Sequence, residues 1–292
     1  MSSLELGFIR LADGLRLRYR SMEGDGPTVL LLHGWPQSGH AWRRVVPSLA
    51  ASGYFPLFPD LRGCGDSDKP TGGYDAGTRM EDMRALVAAL GVGDDPIFLV
   101  GHGAEGAEVA NAYAVAHPDE VAGLALLSAV PGGAARAGDA PGDWHTDFHH
   151  TPDLPELLLE GHIDAYLHHF FRAWSHDPDM LHETDLAVYV RALSQPGALR
   201  ASLAPFRVPL AAPPPGVNGQ IPLLLLVGES DPRLDREALE AVLAQHGGHA
   251  AIQTIPRGGY WLPEERPDPV AAALLTFFAS VQEGWEGKLL SP

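Results

Sequence analysis

Thr28-Val29-Leu30-Leu31-Leu32-His33-Gly34-Trp35-Pro36 decides the fold. The residues from Thr28 to Leu32 show no polar alternation, so the strand they form must be covered on both faces, as in a parallel sheet layered between helices. Apolar runs of the same kind recur at residues 97–100, 121–127 and 221–227. Helical stretches lie between and after them, at 41–51, 78–90, 106–116, 235–245 and 269–281, with a short strand near 251–254. Alternation of this kind predicts an α/β fold with a mostly parallel sheet and helices on both faces. Upstream, 5–10 and 15–20 alternate apolar and polar residues around Ala12-Asp13-Gly14, the pattern of a β-hairpin.

The 292 residues carry a net charge of −17, so the summed field repels polyphosphate and anionic lipid, and no nucleic-acid partner is expected. Apolar runs stay strand-sized, far below the ~20 residues of a membrane span. Residues 1–10 contain Glu5 and no basic stretch ahead of an apolar run, so no secretory signal is read there and a cytoplasmic location is expected. A single cysteine, Cys64, excludes an internal disulfide and a thiolate metal site. From about residue 131 to 219 the chain becomes rich in Pro, Gly, His and aromatic residues, with helical stretches at 154–174 and 185–204 and a Pro-rich return at 211–216. That stretch is too long for a loop and reads as a helical cap, giving a core in two parts, 1–130 and 220–292, around a cap at 131–219.

His33-Gly34-Trp35-Pro36-Gln37 after a buried strand, together with Pro59-Asp60-Leu61-Arg62-Gly63-Cys64-Gly65-Asp66-Ser67-Asp68-Lys69-Pro70, resembles the epoxide hydrolase and haloacetate dehalogenase branch of the α/β-hydrolase superfamily. Trp144-His145, Pro152 to Glu156, Tyr189, the run from Gln195 to Ala201, and Trp261-Leu262-Pro263-Glu264-Glu265-Arg266-Pro267 extend the resemblance over nearly the whole chain. It implies an α/β-hydrolase fold with an inserted helical cap, a Trp35 amide that donates to an oxyanion, and Trp144, His145 and Tyr189 facing the substrate.

The resemblance also implies a nucleophile at the strand-to-helix elbow, where this chain reads Val100-Gly101-His102-Gly103-Ala104-Glu105-Gly106. Counting forward from Gly101-His102 puts Gly103 in the nucleophile's place, and counting back from His117-Pro118 puts Ala104 there, so an elbow one residue longer than usual is expected. Neither residue can form a covalent intermediate. The family's histidine position holds Tyr260, within Gly259-Tyr260-Trp261-Leu262-Pro263-Glu264, and only the acid survives, as Asp231 in Val227-Gly228-Glu229-Ser230-Asp231. A phenol can donate a proton but activates water poorly.

Glu105 is a candidate replacement base, against the plainer reading of an exposed glutamate at a helix N-terminus. His102 reads as a packed residue beside the elbow, and Asp60 and Arg62 as structural ion-pair members. His33, Trp35, His102, Gly103, Ala104 and Trp261 complete the expected substrate-binding set. Eight of the 14 histidines fall between His145 and His182 without ligand spacing, so neither a metal nor a cofactor is expected. The expected function is a cofactor-free, non-hydrolytic step on a small-molecule or peptide intermediate of natural-product biosynthesis: isomerisation, epimerisation, cyclisation or lyase chemistry, with Asp231, Tyr260 and Glu105 as acid–base groups. The resemblance supports this step, since triad-less members of the fold include peptide epimerases. A ligand- or partner-binding protein, and an epoxide hydrolase-like enzyme with relocated groups, are the alternatives. The sequence leaves the oligomeric state open.

Overall fold

The computed structural model describes residues 3–131, 144–208, 219, 221–233 and 236–284. Eight strands form one sheet: β1 (Leu4–Arg10), β2 (Arg16–Met22), β3 (Thr28–Leu32), β4 (Phe55–Leu57), β5 (Ile97–His102), β6 (Val121–Leu127), β7 (Leu223–Gly228) and β8 (Ala250–Ile255). Their order is β1-β2-β4-β3-β5-β6-β7-β8. The β1–β2 hairpin is antiparallel, β2 pairs antiparallel with β4, and every later pairing is parallel.

The helices are α1 (Val46–Ala51), α2 (Ala76–Leu90), α3 (Gly103–Ala116), α4 (Trp144–His150), α5 (Leu154–Leu159), α6 (Ile163–Ala173), α7 (Glu183–Leu193), α8 (Ala198–Leu203), α9 (Arg236–His246), α10 (Leu262–Glu265) and α11 (Pro267–Gln282). Side chains of β3 alternate between two cores, Leu30 and Leu32 packing with α2, α3 and α9, and Val29 and Leu31 with α1 and α11. Coverage on both faces is why these strands need no polar alternation. The stretch read as one helix at 41–51 is broken into a 3₁₀ turn, Gly39–Trp42, and α1. Ser38 Oγ accepts from His40 N to start the turn, and Pro47, which has no N–H, sits in the first turn of α1. Left-handed Gly161 (φ +78°) and Gly197 (φ +75°) likewise split the 154–174 and 185–204 stretches into α5 and α6, and α7 and α8.

Helices α4 to α8 lie between β6 and β7 in the chain. Their apolar faces meet Trp35, Tyr260 and Trp261 of the sheet's carboxyl end in a third cluster with Phe170, Phe171 and Tyr189. The Pro-rich return at 211–216 lies outside the described residues. Among the described residues no helix is long and apolar enough to cross a membrane.

Candidate active site

Strand β5 runs directly into α3, and the turn falls on Gly103, whose φ of +62° is the left-handed conformation of a sharp strand-to-helix elbow. Ala104 already belongs to the helix, and strand and helix are contiguous, so the longer elbow expected from the count is absent. Gly34 passes close by: a Cβ there would meet the His102 carbonyl oxygen at 2.8 Å. That approach brings the Trp35 amide to the elbow.

A Cβ on Gly103 would run into the hydroxyl of Tyr260. The Tyr260 phenol therefore fills the room that a side chain at position 103 would need. The Ala104 backbone is a hydrogen-bond partner of the same hydroxyl. Burial raises the Tyr260 pKa well above the phenol range, with the Arg233 charge pulling the other way. The Tyr260 carbonyl is fixed as well, accepting from Ser128 Oγ at 2.9 Å and from His102 Nε2 at 2.8 Å. Because a carbonyl can only accept, Nε2 carries the His102 proton, and burial lowers the ring's pKa to about 4. His102 is thus buried and held by the Tyr260 carbonyl.

Glu105 is buried, which removes the reading of an exposed helix-capping glutamate. Its Oε2 accepts from the Trp35 backbone N–H at 3.0 Å. The amide expected to serve an oxyanion thus already holds a carboxylate oxygen of the protein. The Trp35 and Ala104 backbones thus both face protein oxygens.

Asp231 Oδ1 accepts from the Arg233 N–H at 2.9 Å, and its carboxyl also faces Ser128. Burial raises its pKa, the Arg233 amide and Ser128 acting against that shift. Among the described residues it makes no hydrogen bond to Tyr260; Ser128 faces both. Ser128, at the end of β6 with φ +51°, is a strained non-glycine position that the sequence reading passed over. Arg233 was also missed, although a cation two residues after the acid was visible. Its guanidinium carbon lies 4.4 Å from the Trp174 ring centroid and 5.8 Å from that of Tyr260, and its Nη1 donates to His145 Nε2 at 3.1 Å.

The remaining expected residues divide between this site and the scaffold. His145 on α4 packs beside Trp35 with the rings 6.5 Å apart, its pKa lowered by burial and by Arg233 to about 4. Trp144 is half exposed and stacks on Phe170. Tyr189 does not present its hydroxyl to the elbow: it donates to buried Glu264, which also pairs with Arg43 at 2.8 Å, because a buried carboxylate needs partners. Trp261 Nε1 donates to the Phe170 carbonyl at 3.2 Å. His33 accepts from Leu61 N at 3.1 Å through Nε2 and donates to Gly34 O at 3.0 Å through Nδ1, so it fixes the loop behind Trp35. Asp60 pairs with Arg20 at 2.6 Å and Arg62 with Asp82 at 2.6 Å, structural contacts with other partners than each other. Burial pushes the Cys64 thiol up to about 12, which keeps it unreactive. Among the described residues no three His, Cys, Asp or Glu side chains are grouped to hold a metal ion.

An eight-stranded sheet of this order, an elbow at Gly103 and helices inserted after β6 define an α/β-hydrolase, and residues 27–177 match the family described as alpha/beta hydrolase fold. The chain belongs to that family. It is 33% identical over 286 residues to a soluble epoxide hydrolase of Corynebacterium sp. (strain C12), covering 93% of this chain and 96% of the relative. A fluoroacetate dehalogenase of Burkholderia sp. is 29% identical, over 89% of this chain and 90% of its own. Among solved structures, the epoxide hydrolase CorEH aligns with a TM-score of 0.82 at 31% identity, over 96% of this chain and all (100%) of its own. Cfl2 of Burkholderia cenocepacia aligns with a TM-score of 0.82 at 32% identity, over 94% of this chain and 96% of its own.

Proposed function

We propose that the protein is an epoxide hydrolase-like enzyme acting on a small-molecule substrate, in which Glu105 supplies the carboxylate that the elbow lacks. The observation that carries this reading is the Glu105 Oε2 contact with the Trp35 N–H. A carboxylate nucleophile needs one oxygen on an oxyanion donor and the other directed at substrate, and among the described residues Glu105 Oε1 makes no hydrogen bond. The relatives' names favour hydrolysis over the isomerase, epimerase and cyclase chemistries expected from the sequence.

In this reading Glu105 Oε1 attacks an epoxide carbon, the carbon–oxygen bond breaks, and the departing alkoxide takes the proton of the Tyr260 hydroxyl. A high pKa suits that role, since the phenol is protonated at every working pH. The phenolate then removes a proton from water, which adds to the ester carbonyl while the Trp35 N–H receives the developing negative charge. Collapse expels the diol, which leaves with the proton of the added hydroxyl and regenerates the Glu105 carboxylate. Asp231, through Ser128, is a positioning residue that fixes the Tyr260 backbone. Residues 131–219 act as the cap over this site, and the protein works in the cytoplasm.

Turnover of styrene oxide in ¹⁸O-water tests this. Repeated turnover should place ¹⁸O in the peptide carrying Glu105, and Glu105→Gln should lose at least about 10³-fold in rate, as expected on removing a nucleophile. Turnover that leaves the Glu105 peptide unlabelled, or no turnover, would overturn the reading. A second reading, proton transfer between carbon atoms by Glu105 and Tyr260, is favoured by the phenol standing in the nucleophile's room; it predicts deuterium wash-in from solvent without diol formation. A binding protein would show neither outcome.

A further inference from the structure

We propose that the protein associates with a second copy of itself, the acidic, leucine-bearing α5 of one copy seating on the arginine-fringed apolar face of β1 and β2 of the other. The contact is independent of the reaction at the elbow. Apart from Trp144, which stacks on Phe170, the exposed large apolar side chains among the described residues fall in two groups of three. They are Leu4, Leu6 and Phe8 on β1, and Leu154, Leu157 and Leu158 on α5, each between 44% and 70% exposed. A single exposed leucine is ordinary, whereas a contiguous apolar patch marks a surface that is covered by something.

Strand β1 is the outermost of the sheet, and Leu4, Leu6 and Phe8 alternate along it, so they share one face. Ile9 and Tyr19, on the opposite face, pack against the core. Across from the three apolar residues stand Met22, Arg20 and Arg18 of β2. Met22 packs against the core beneath α1 and α11, and Arg20 is paired with buried Asp60 at 2.6 Å, so the cover of this face ends at β2. Arg16 and Arg18 lean on Phe8, their guanidinium carbons 4.6 Å and 4.7 Å from its ring centroid. Arg10 and Arg18 donate to the carbonyls of Gly14 at 2.8 Å and Gly7 at 3.4 Å, and neither forms an ion pair among the described residues. Two copies of this face brought together would oppose arginine to arginine, so its complement is an acidic apolar surface.

The chain carries that complement itself. Leu154, Leu157 and Leu158 are spaced i, i+3 and i+4, so they crown one side of α5, while Pro155 and Leu159 are buried. Asp153 and Glu160 bracket the three leucines and Asp164 follows in the first turn of α6, all exposed and none in an ion pair among the described residues. Glu156, by contrast, is held by Arg207 at 2.5 Å. With −17 on each copy, most surfaces of two approaching chains repel. The arginine face and the acidic corner attract, and their apolar rows then bury each other. Because β1 is the sheet edge and α5 belongs to the inserted helices, the contact joins unlike surfaces, and a twofold dimer makes it twice, each copy giving an α5 and receiving one.

Sedimentation velocity on the full chain, on single-patch variants and on their mixture tests the proposal. The wild type should pass from monomer toward dimer between ~1 and ~100 μM, the range of an interface of modest area. Leu6→Ser with Phe8→Ser, and Leu157→Ser with Leu158→Ser, should each weaken association at least about tenfold, because each spoils one side of both contacts. An equimolar mixture of the two should dimerise more tightly than either alone, since α5 of the first and the β1 face of the second are intact. Arg10→Glu and Glu160→Lys should each weaken association by about threefold, and their mixture should recover it, because the exchanged charges again attract. That second mixture leaves the apolar rows untouched and decides the matter where a serine variant fails to fold. A wild type that stays monomeric at ~100 μM would overturn the proposal. So would a mixture no tighter than its components, or association that survives the α5 variant, which would mark pairing of one β1 with another.

Discussion

The phenol oxygen of Tyr260 occupies the place that a side chain on Gly103 would take. Gly103 and Tyr260 are therefore fitted to each other. A glycine at the elbow leaves room, and the tyrosine fills it and meets the Ala104 backbone.

Gly103→Ala should lower stability by about 2–4 kcal/mol, combining an L-residue in a left-handed conformation with overpacking against the phenol. Tyr260→Phe should recover part of that loss in the double variant, because it removes the atom that the new Cβ meets. Urea melts of the four proteins give the coupling. Additivity to within about 0.5 kcal/mol would show that the hydroxyl is not the obstacle.

Tyr260→Phe alone should lower styrene oxide turnover by about 10²–10⁴-fold, the usual contribution of a positioned proton donor. The phenyl ring keeps its contacts with Trp174 and Trp261, so the melting temperature should change little. Steady-state rates and calorimetry on the same preparation check both halves. A large fall in melting temperature with turnover intact would assign the hydroxyl to packing.

Asp231→Asn should raise the melting temperature at neutral pH. Burial raises the Asp231 pKa in the folded state, so the folded protein binds that proton more tightly than the unfolded chain. A group of this kind stabilises below its unfolded pKa and loses that contribution as pH rises through the folded value. The asparagine variant should therefore gain most at pH 7–8, and its advantage should shrink as pH falls toward ~4, the ordinary range of an aspartate. Melting curves at several pH values decide it; a destabilised variant at pH 7 would mean that the carboxylate charge is needed by Arg233.

Arg43→Met should cost about 3–5 kcal/mol, because it leaves the buried Glu264 carboxylate without its cation. The exposed pair Arg172 and Asp179 is worth ~0–1 kcal/mol, and Arg172→Met should be near neutral by comparison. Comparable losses in the two variants would show that Glu264 finds another partner.

The fold was legible because its evidence is repetitive. Four unbroken apolar strands, each followed by helix, leave few topologies, and Gly34 had to be glycine to pass the elbow. Helix ends were harder to read, since Pro47, Gly161 and Gly197 break stretches whose apolar residues alone read as continuous helix. At the site, Gly103 and Tyr260 were visible as residue types, whereas their contact was not. Whether Tyr260 points at Gly103, and whether Glu105 turns inward to the Trp35 amide, depends on rotamers set by contacts as far as 70 residues and more apart in sequence. Tyr189 misled for the same reason: its motif matched the cap, but Glu264 takes its hydroxyl.

Three buried histidines make the protein acid-sensitive in a defined window. Burial lowers the pKa of His102 and His145 to about 4 and that of His149 to about 3, so all three are neutral in the folded state at pH 6. In the unfolded chain they take up protons near ~6.5. Unfolding therefore absorbs protons below that value, and stability falls as pH drops from ~6.5 toward 4, each histidine contributing about 1.4 kcal/mol per pH unit. His149, whose Nε2 meets the Tyr166 hydroxyl at 2.6 Å and whose ring packs on Trp35 and Phe206, is the one to replace, because it is not one of the acid–base groups proposed at the elbow. In His149→Gln the amide keeps a polar partner for Tyr166, so some stability is lost at pH 7 while one titrating group is removed. Unfolding free energies from urea melts at pH 7, 6 and 5 should fall less steeply in the variant, by about 1.4 kcal/mol per unit below pH 6. Parallel pH profiles would mean that His149 is already protonated in the folded protein, and that burial does not hold it neutral.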